Sequence, residues 1–167
     1  MIFEYIALLT IVLLSAFVIV EDLRKLEIPA RAVLGLTAAC VLAGIIYPLP
    51  GLSPDAALWG AALGLGMGTF TRGYIHWRSG VPAFGGADVS LITAAGGLLG
   101  PFLFGPWLLA SATIGIAMML ASSVFKRKVD VDGEELEVLP FCPALIISTA
   151  LAYFLAWIDI IPSGLTG

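Results

Sequence analysis

The 167 residues are 60% hydrophobic and 12% charged, with a mean hydropathy of +1.05, which excludes an ordinary soluble globular fold. A net charge of -4, with no cluster of basic residues and interleaved aromatics, argues against nucleic-acid binding. At roughly 20 residues per span, membrane-crossing segments use up nearly the whole chain, so residues 1–167 read as a single polytopic membrane domain.

The first apolar run, Ile2–Val20, lacks a basic n-region and an A-x-A site before Glu21, so it reads as a permanent span and not a cleaved signal. Further apolar segments follow at Pro29–Tyr47, Ala56–Phe70, Val89–Gly105, Trp107–Phe125 and Phe141–Ile161. Breakers separate them: Pro48-Leu49-Pro50-Gly51, the Gly80 to Gly86 stretch, Pro101 and Pro106, and Pro140. Between the last two segments, Lys128-Val129-Asp130-Val131 and Glu134-Glu135-Leu136-Glu137-Val138 alternate around Asp132-Gly133, a hairpin signal. The expected fold is an all-α integral membrane protein of six transmembrane helices, with a short cytoplasmic hairpin between the fifth and sixth.

All 8 lysines and arginines lie in the first, third and fifth connections: Arg24, Lys25, Arg31, Arg72, Arg78, Lys126, Arg127 and Lys128. Those connections are therefore expected in the cytoplasm, with both termini outside. Glycines recur at spacings of four in Gly60 to Gly68, and again in Ala94-Ala95-Gly96-Gly97, where small residues let helix backbones approach closely. Gly35, Gly44 and Gly115 extend that pattern. Cys40 and Cys142 lie in apolar stretches without a CxxC or a companion histidine, and read as buried thiols acting as small hydrophobes.

Between Asp55 and Asp130 the chain has a single acid, Asp88, at the start of the fourth segment after Gly85-Gly86-Ala87. An ionisable group there is either functional or a helix cap, and position alone leaves both open. At the end of the first span stand Glu21 and Asp22, followed by Arg24, Lys25 and Glu27. Adjacent helical residues point about 100° apart, so one of the two acids can face the interior, and periodicity does not choose between them. The expected topology carries Asp22 and Asp88 to the same face, where two carboxylates can share a proton and perform aspartic proteolysis. Tyr74, His76 and Trp77 beside Arg72 and Arg78 read as an interfacial belt. Glu4, Asp55 and Asp159 fall on the opposite side.

The stretches Asp22-Leu23-Arg24-Lys25-Leu26-Glu27-Ile28-Pro29 and Gly85-Gly86-Ala87-Asp88 resemble the paired motifs of type IV prepilin peptidases and archaeal preflagellin peptidases, membrane aspartyl proteases with a GxGD-like element. Phe141-Cys142-Pro143 is similar to a late Phe-x-Pro of that family. The resemblance implies Asp22 and Asp88 as the catalytic pair. It also implies Gly85, Gly86, Ala87, Arg24, Ile28 and Pro29 as residues that support the motifs or meet substrate. Ala30 stands where the family often has Asn or Asp, and Ala87 where it often has Gly, which points to the preflagellin or archaeal prepilin branch.

By the same resemblance the expected activity is removal of a short basic leader from prepilin-like or preflagellin (archaellin) precursors at the cytoplasmic face of a prokaryotic plasma membrane. The expected partners are those precursors and membrane lipid, with self-association left open, and neither cofactor nor metal is implied. Bifunctional bacterial members carry a cysteine-clustered N-terminal segment, whereas this chain enters the membrane at residue 2, so the expectation is a peptidase without N-methyltransferase activity. Two rivals stay open: a presenilin-like or signal-peptide-peptidase-like intramembrane protease, and a non-enzymatic proton-coupled transporter or scaffold using the aspartates as a relay or helix lock.

Overall fold

A computed structural model describes residues 2–25, 28–80, 85–120, 127–131, 134–138 and 142–158. The first helix, α1 (Ile2–Lys25), contains a stretch, Phe3–Arg24, of mean hydropathy 2.5. At 24 residues α1 is about 36 Å long, enough to cross a hydrocarbon core of roughly 30 Å. Phe3, Leu9, Val12, Leu13 and Phe17 are exposed along α1. A long apolar flank of that kind suits lipid and not water.

Helix α2 (Ala30–Ile46) starts directly after Pro29, whose carbonyl accepts the amides of Ala32 and Val33 at 2.9 and 3.3 Å. Helix α3 (Pro54–Ser79) has proline in its first turn, where a missing N–H costs nothing, and stops at Gly80 in the left-handed region at φ 70°. Helix α4 (Gly86–Leu120) is interrupted by Gly100, at φ 71° and ψ 174°. Strands β1 (Arg127–Val131) and β2 (Glu134–Val138) pair antiparallel, with Arg127 opposite Val138 and Val131 opposite Glu134. Helix α5 (Cys142–Trp157) follows. Asp132-Gly133, Phe125, Pro140, Phe141, Asp159 and Ile161 lie outside the described residues, as do Leu26, Glu27 and residues 81–84.

The break at Gly100 reverses the chain, and a distance argument shows it. In a straight helix Asp88 and Ser111 would stand about 35 Å apart. Yet the Ser111 and Ser148 hydroxyls are 2.6 Å apart, and the Cys142 thiol lies 3.9 Å from Asp88. Only about 9 Å of α5 separates Cys142 from Ser148. The second arm of α4, residues 101–120, must therefore run back alongside the first, residues 86–99. Gly100 occupies a region of backbone space that is essentially glycine-only, and Pro101 opens the second arm. The expected fourth and fifth segments are thus two arms of one element. Their boundary falls at Gly100 and not between Gly105 and Pro106, which lie inside the second arm.

The first arm of α4 is the centre of the packing. Gly60, Gly64 and Gly68 of α3 face Gly96, Ile92 and Val89 of that arm, so the two helices run antiparallel with backbone against backbone. A Cβ built on Gly64 would stand 2.5 Å from the Ile92 carbonyl oxygen, and one on Gly60 would collide with the Gly96 carbonyl. On the arm's other flank, Gly44 abuts the Gly97 carbonyl, and the Thr37 hydroxyl shares its one proton between the Ser90 carbonyl at 3.0 Å and the Val33 carbonyl of its own helix at 2.9 Å. Leu91, Ala95, Leu98 and Leu99 fill the interior with Val33, Leu36, Val18 and Leu145. From the second arm, Phe104 and Trp107 join them with ring centroids 5.3 Å apart.

The seam makes a graded prediction. Gly66 lies on α3 between the seam glycines, but a Cβ there meets nothing within 4 Å. Gly66→Ala should leave the thermal midpoint of the detergent-solubilised protein unchanged or slightly raised, since alanine favours helix by up to about 1 kcal/mol. Gly60→Ala should destabilise by about 1–3 kcal/mol, the usual cost of forcing atoms into a filled interface. Equal midpoints for the two variants would show that α3 does not pack through this seam.

Candidate active site

Asp22 sits in the last turn of α1 and is buried, at 6% exposure. Its neighbour Glu21 is only half-buried. Helical geometry allows one inward carboxylate here, and the fold turns Asp22 inward. The Asp22 Oδ2 atom has no hydrogen-bond partner among the described residues.

Asp88 lies in the first turn of α4, and its two oxygens do different things. Oδ2 accepts the Gly85 backbone N–H at 3.0 Å, the reach-back of a capping box in which Gly85 precedes the helix and Asp88 is three residues on. Oδ1 accepts from the Cys142 thiol at 3.9 Å. Capping and a site role therefore coexist on one side chain. A side chain at Gly85 would crowd the capping oxygen, since a Cβ there would stand 3.3 Å from it.

Asp22 and Asp88 are close enough to act electrostatically on one another, and the Cys142 thiol and backbone amide lie against the Asp22 carboxylate as well. Three elements thus converge: the end of α1, the start of α4 and the start of α5. The sequence reading of Cys142 as a small hydrophobe is half right. Like Cys40 it is buried, but unlike Cys40 it has acid neighbours. Its position inside Phe141-Cys142-Pro143 was the signal that could have marked it.

The other motif residues take supporting places. Ala87 and Ile28 pack against the hydrophobic core, and Pro29 is exposed at the head of α2. Arg24, two residues beyond Asp22 and so on roughly the opposite side of α1, is exposed. Gly86 faces the guanidinium of Arg72, which a Cβ would approach to 3.2 Å. Tyr74, His76 and Trp77 are exposed on α3, with Tyr74 stacked on Phe70 at 6.3 Å and 6.0 Å from Trp77, so they take no part in the cluster. Glu4 and Asp55 are remote from it, at the beginnings of α1 and α3.

An apolar groove of about 650 Å³ runs between α1 and α5 over α2 and α4. Ile19, Leu91 and Leu145 line the end towards the aspartates, and Tyr5, Tyr153 and Trp157 line the other. From residue 145 to residue 157 of α5 the groove covers about 18 Å of helix.

A family model described as the type IV leader peptidase family matches residues 7–120, a stretch that holds both aspartates and the glycines before Asp88. No curated protein and no solved structure matches the chain.

The divided role of Asp88 predicts a separation of stability from chemistry. Asp88→Asn keeps an oxygen for the Gly85 N–H and should unfold within about 0.5 kcal/mol of the parent, whereas Asp88→Ala should lose about 1 kcal/mol as the cap goes. Thermal unfolding in detergent measures both. Equal losses would mean that the cap is not what Asp88 contributes to stability.

Proposed function

The chain belongs to the type IV leader peptidase family, and from that premise we propose that it is a membrane aspartyl endopeptidase acting through Asp22 and Asp88. Membership makes it a peptidase of protein substrates, and its two long apolar helices support its being a membrane protein. The observation that carries the aspartyl reading is the meeting of a buried, incompletely partnered Asp22 with Asp88 at the junction of three helices.

In this reading one carboxylate is ionised and the other protonated. The ionised one takes a proton from water as the water oxygen bonds to the scissile carbonyl carbon. The protonated one donates to the carbonyl oxygen, which stabilises the tetrahedral intermediate. Collapse breaks the C–N bond, and the departing nitrogen receives the proton first taken from water. As the carbonyl re-forms, a hydroxyl proton of the intermediate returns to the carboxylate that had donated, so both carboxyl groups end in the states in which they began.

The substrate in this reading is a prepilin-like or preflagellin precursor with a short basic leader and an apolar segment after it. The groove supports that assignment, because its Ile19, Leu91 and Leu145 end adjoins the aspartates while its walls are apolar. The leader's charge stays in the cytoplasm, and the distribution of all 8 lysines and arginines supports a cytoplasmic aspartate face. The apolar segment lies in the bilayer, and the junction between the two reaches the carboxylates. Arg24, Ile28, Pro29, Gly85, Gly86 and Ala87 frame that entrance as motif residues.

Purified in detergent with a candidate precursor, Asp22→Asn and Asp88→Asn should each lower cleavage at least about a hundredfold, since neither amide can exchange the proton. Glu21→Gln should retain most activity, because its side chain leaves α1 in another direction. The double variant should be no worse than either single one, as residues acting as a unit are non-additive. Near-parental cleavage by Asp88→Asn would refute the two-aspartate mechanism.

Orientation has its own check. Glu135→Cys should react with an impermeant thiol reagent only from the cytoplasm, and Ser53→Cys only from outside, the native thiols being buried. Labelling of Ser53→Cys from the cytoplasm would overturn the topology.

A further inference from the structure

The place of Cys142 is not explained by packing alone. Cys40 meets the needs of a small hydrophobe, since it is 4% exposed and sits wholly within the apolar core. Cys142 is as well buried, at 3% exposure, yet its sulfur approaches a carboxylate oxygen of Asp88 at 3.9 Å, a sulfur hydrogen-bond distance. The acceptor lies 54 residues away in sequence, so the contact is tertiary. Cys142 also lies within reach of Asp22, through both its thiol and its backbone amide.

The first turn of α5 explains why the residue can do this. Backbone amides at a helix start have no carbonyl within the helix, and that end carries positive partial charge. The Cys142 amide is one of these, and the next residue, Pro143, has no N–H to offer. A thiol has a single proton to donate. The one residue therefore supplies two donors, the side-chain S–H to Asp88 and the backbone N–H towards Asp22.

We propose that Cys142 is a positioning residue of the aspartate pair: its thiol, fixed by the first turn of α5, orients Asp88 and sets the separation of the two carboxylates. The inference rests on Asp22 and Asp88 being the catalytic pair. It adds a third helix to the machinery. Proton transfer within a dyad depends steeply on the distance between its oxygens, and an error of about 1 Å can cost a hundredfold in rate. A side chain that touches both carboxylates without exchanging their proton acts on kcat and not on the binding of an extended substrate.

Steady-state kinetics with a precursor substrate separate the outcomes. Cys142→Ala removes the donor, and kcat should fall on the order of tenfold with KM within about twofold of the parent. Cys142→Ser restores a donor at the same position and should return kcat to within about threefold. A parental kcat in Cys142→Ala, with Asp22→Asn and Asp88→Asn inactive, overturns the positioning role and leaves the dyad standing. Active Asp→Asn variants overturn the dyad itself.

A spectroscopic measurement keeps the inference testable if Cys142→Ala does not fold. In Cys40→Ala the infrared S–H stretch reports Cys142 alone, and it should lie below the band of Cys40 seen in Cys142→Ser, because a donating thiol vibrates at lower frequency. Adding Asp88→Asn to Cys40→Ala should move the band upward, because the one amide oxygen stays with the Gly85 N–H and the NH2 group left facing the thiol cannot accept its proton. Coincident Cys40 and Cys142 bands would show that the thiol donates to neither acid.

Discussion

The close approach of α3 to the first arm of α4 is the contact on which the rest of the molecule depends. In a lipid environment apolar side chains gain little by leaving one apolar medium for another, so helices associate through fit and through polar contacts. Here the fit comes from removing side chains. Gly60, Gly64 and Gly68 bring α3 onto the carbonyls of Gly96 and Ile92 and onto Val89, and Gly44 does the same for α2 against Gly97. The first arm is thereby enclosed by α2 and α3, and the carboxylate at its head, Asp88, gains a rigid base. The hydrogen bond from Thr37 to the Ser90 carbonyl ties α2 to the same arm two residues beyond Asp88.

The reversal at Gly100 is the second requirement, because it governs where α5 can lie. The returning arm brings Trp107, Phe104 and Ser111 back into the bundle, and the buried Ser111 to Ser148 contact of 2.6 Å fixes α5 along its length. With that depth set, the first turn of α5 reaches the two aspartates. Cys142 is thus placed by a chain of contacts that begins at a glycine roughly 18 Å away along the first arm. By contrast, α1 is held mainly along one flank, leaving its other side to lipid and a groove between it and α5.

Within the cluster, the physics of a buried carboxylate decides what can be stable. An acid without donors is costly in a low-dielectric setting, and the cost is met by amides, thiols or a shared proton. Asp88 meets it with the Gly85 N–H and the Cys142 thiol, one for each oxygen. Asp22 keeps one oxygen without a partner among the described residues. Such an incompletely satisfied acid is a poor structural element and a serviceable chemical one, which fits a peptidase better than a helix lock.

Composition and periodicity alone determined that this is a chain of apolar helices, because 60% hydrophobic residues in long runs permit little else. They also located the small-residue stretches and singled out Asp88, since an acid within an apolar context is conspicuous whatever it touches. Motif order joined Asp88 to the neighbourhood of Asp22. Which of Glu21 and Asp22 faces inward was not legible, because a helix with apolar residues all round has no marked interior side until its partners pack against it. The boundary between the fourth and fifth segments was misplaced because three breakers, Gly100-Pro101, Gly105 and Pro106, compete locally, and only the backbone angle of Gly100 shows which one turns the chain. Cys142 was legible as buried and not as a donor to an acid, since a thiol's role depends on its acceptor, and that acceptor stands 54 residues away.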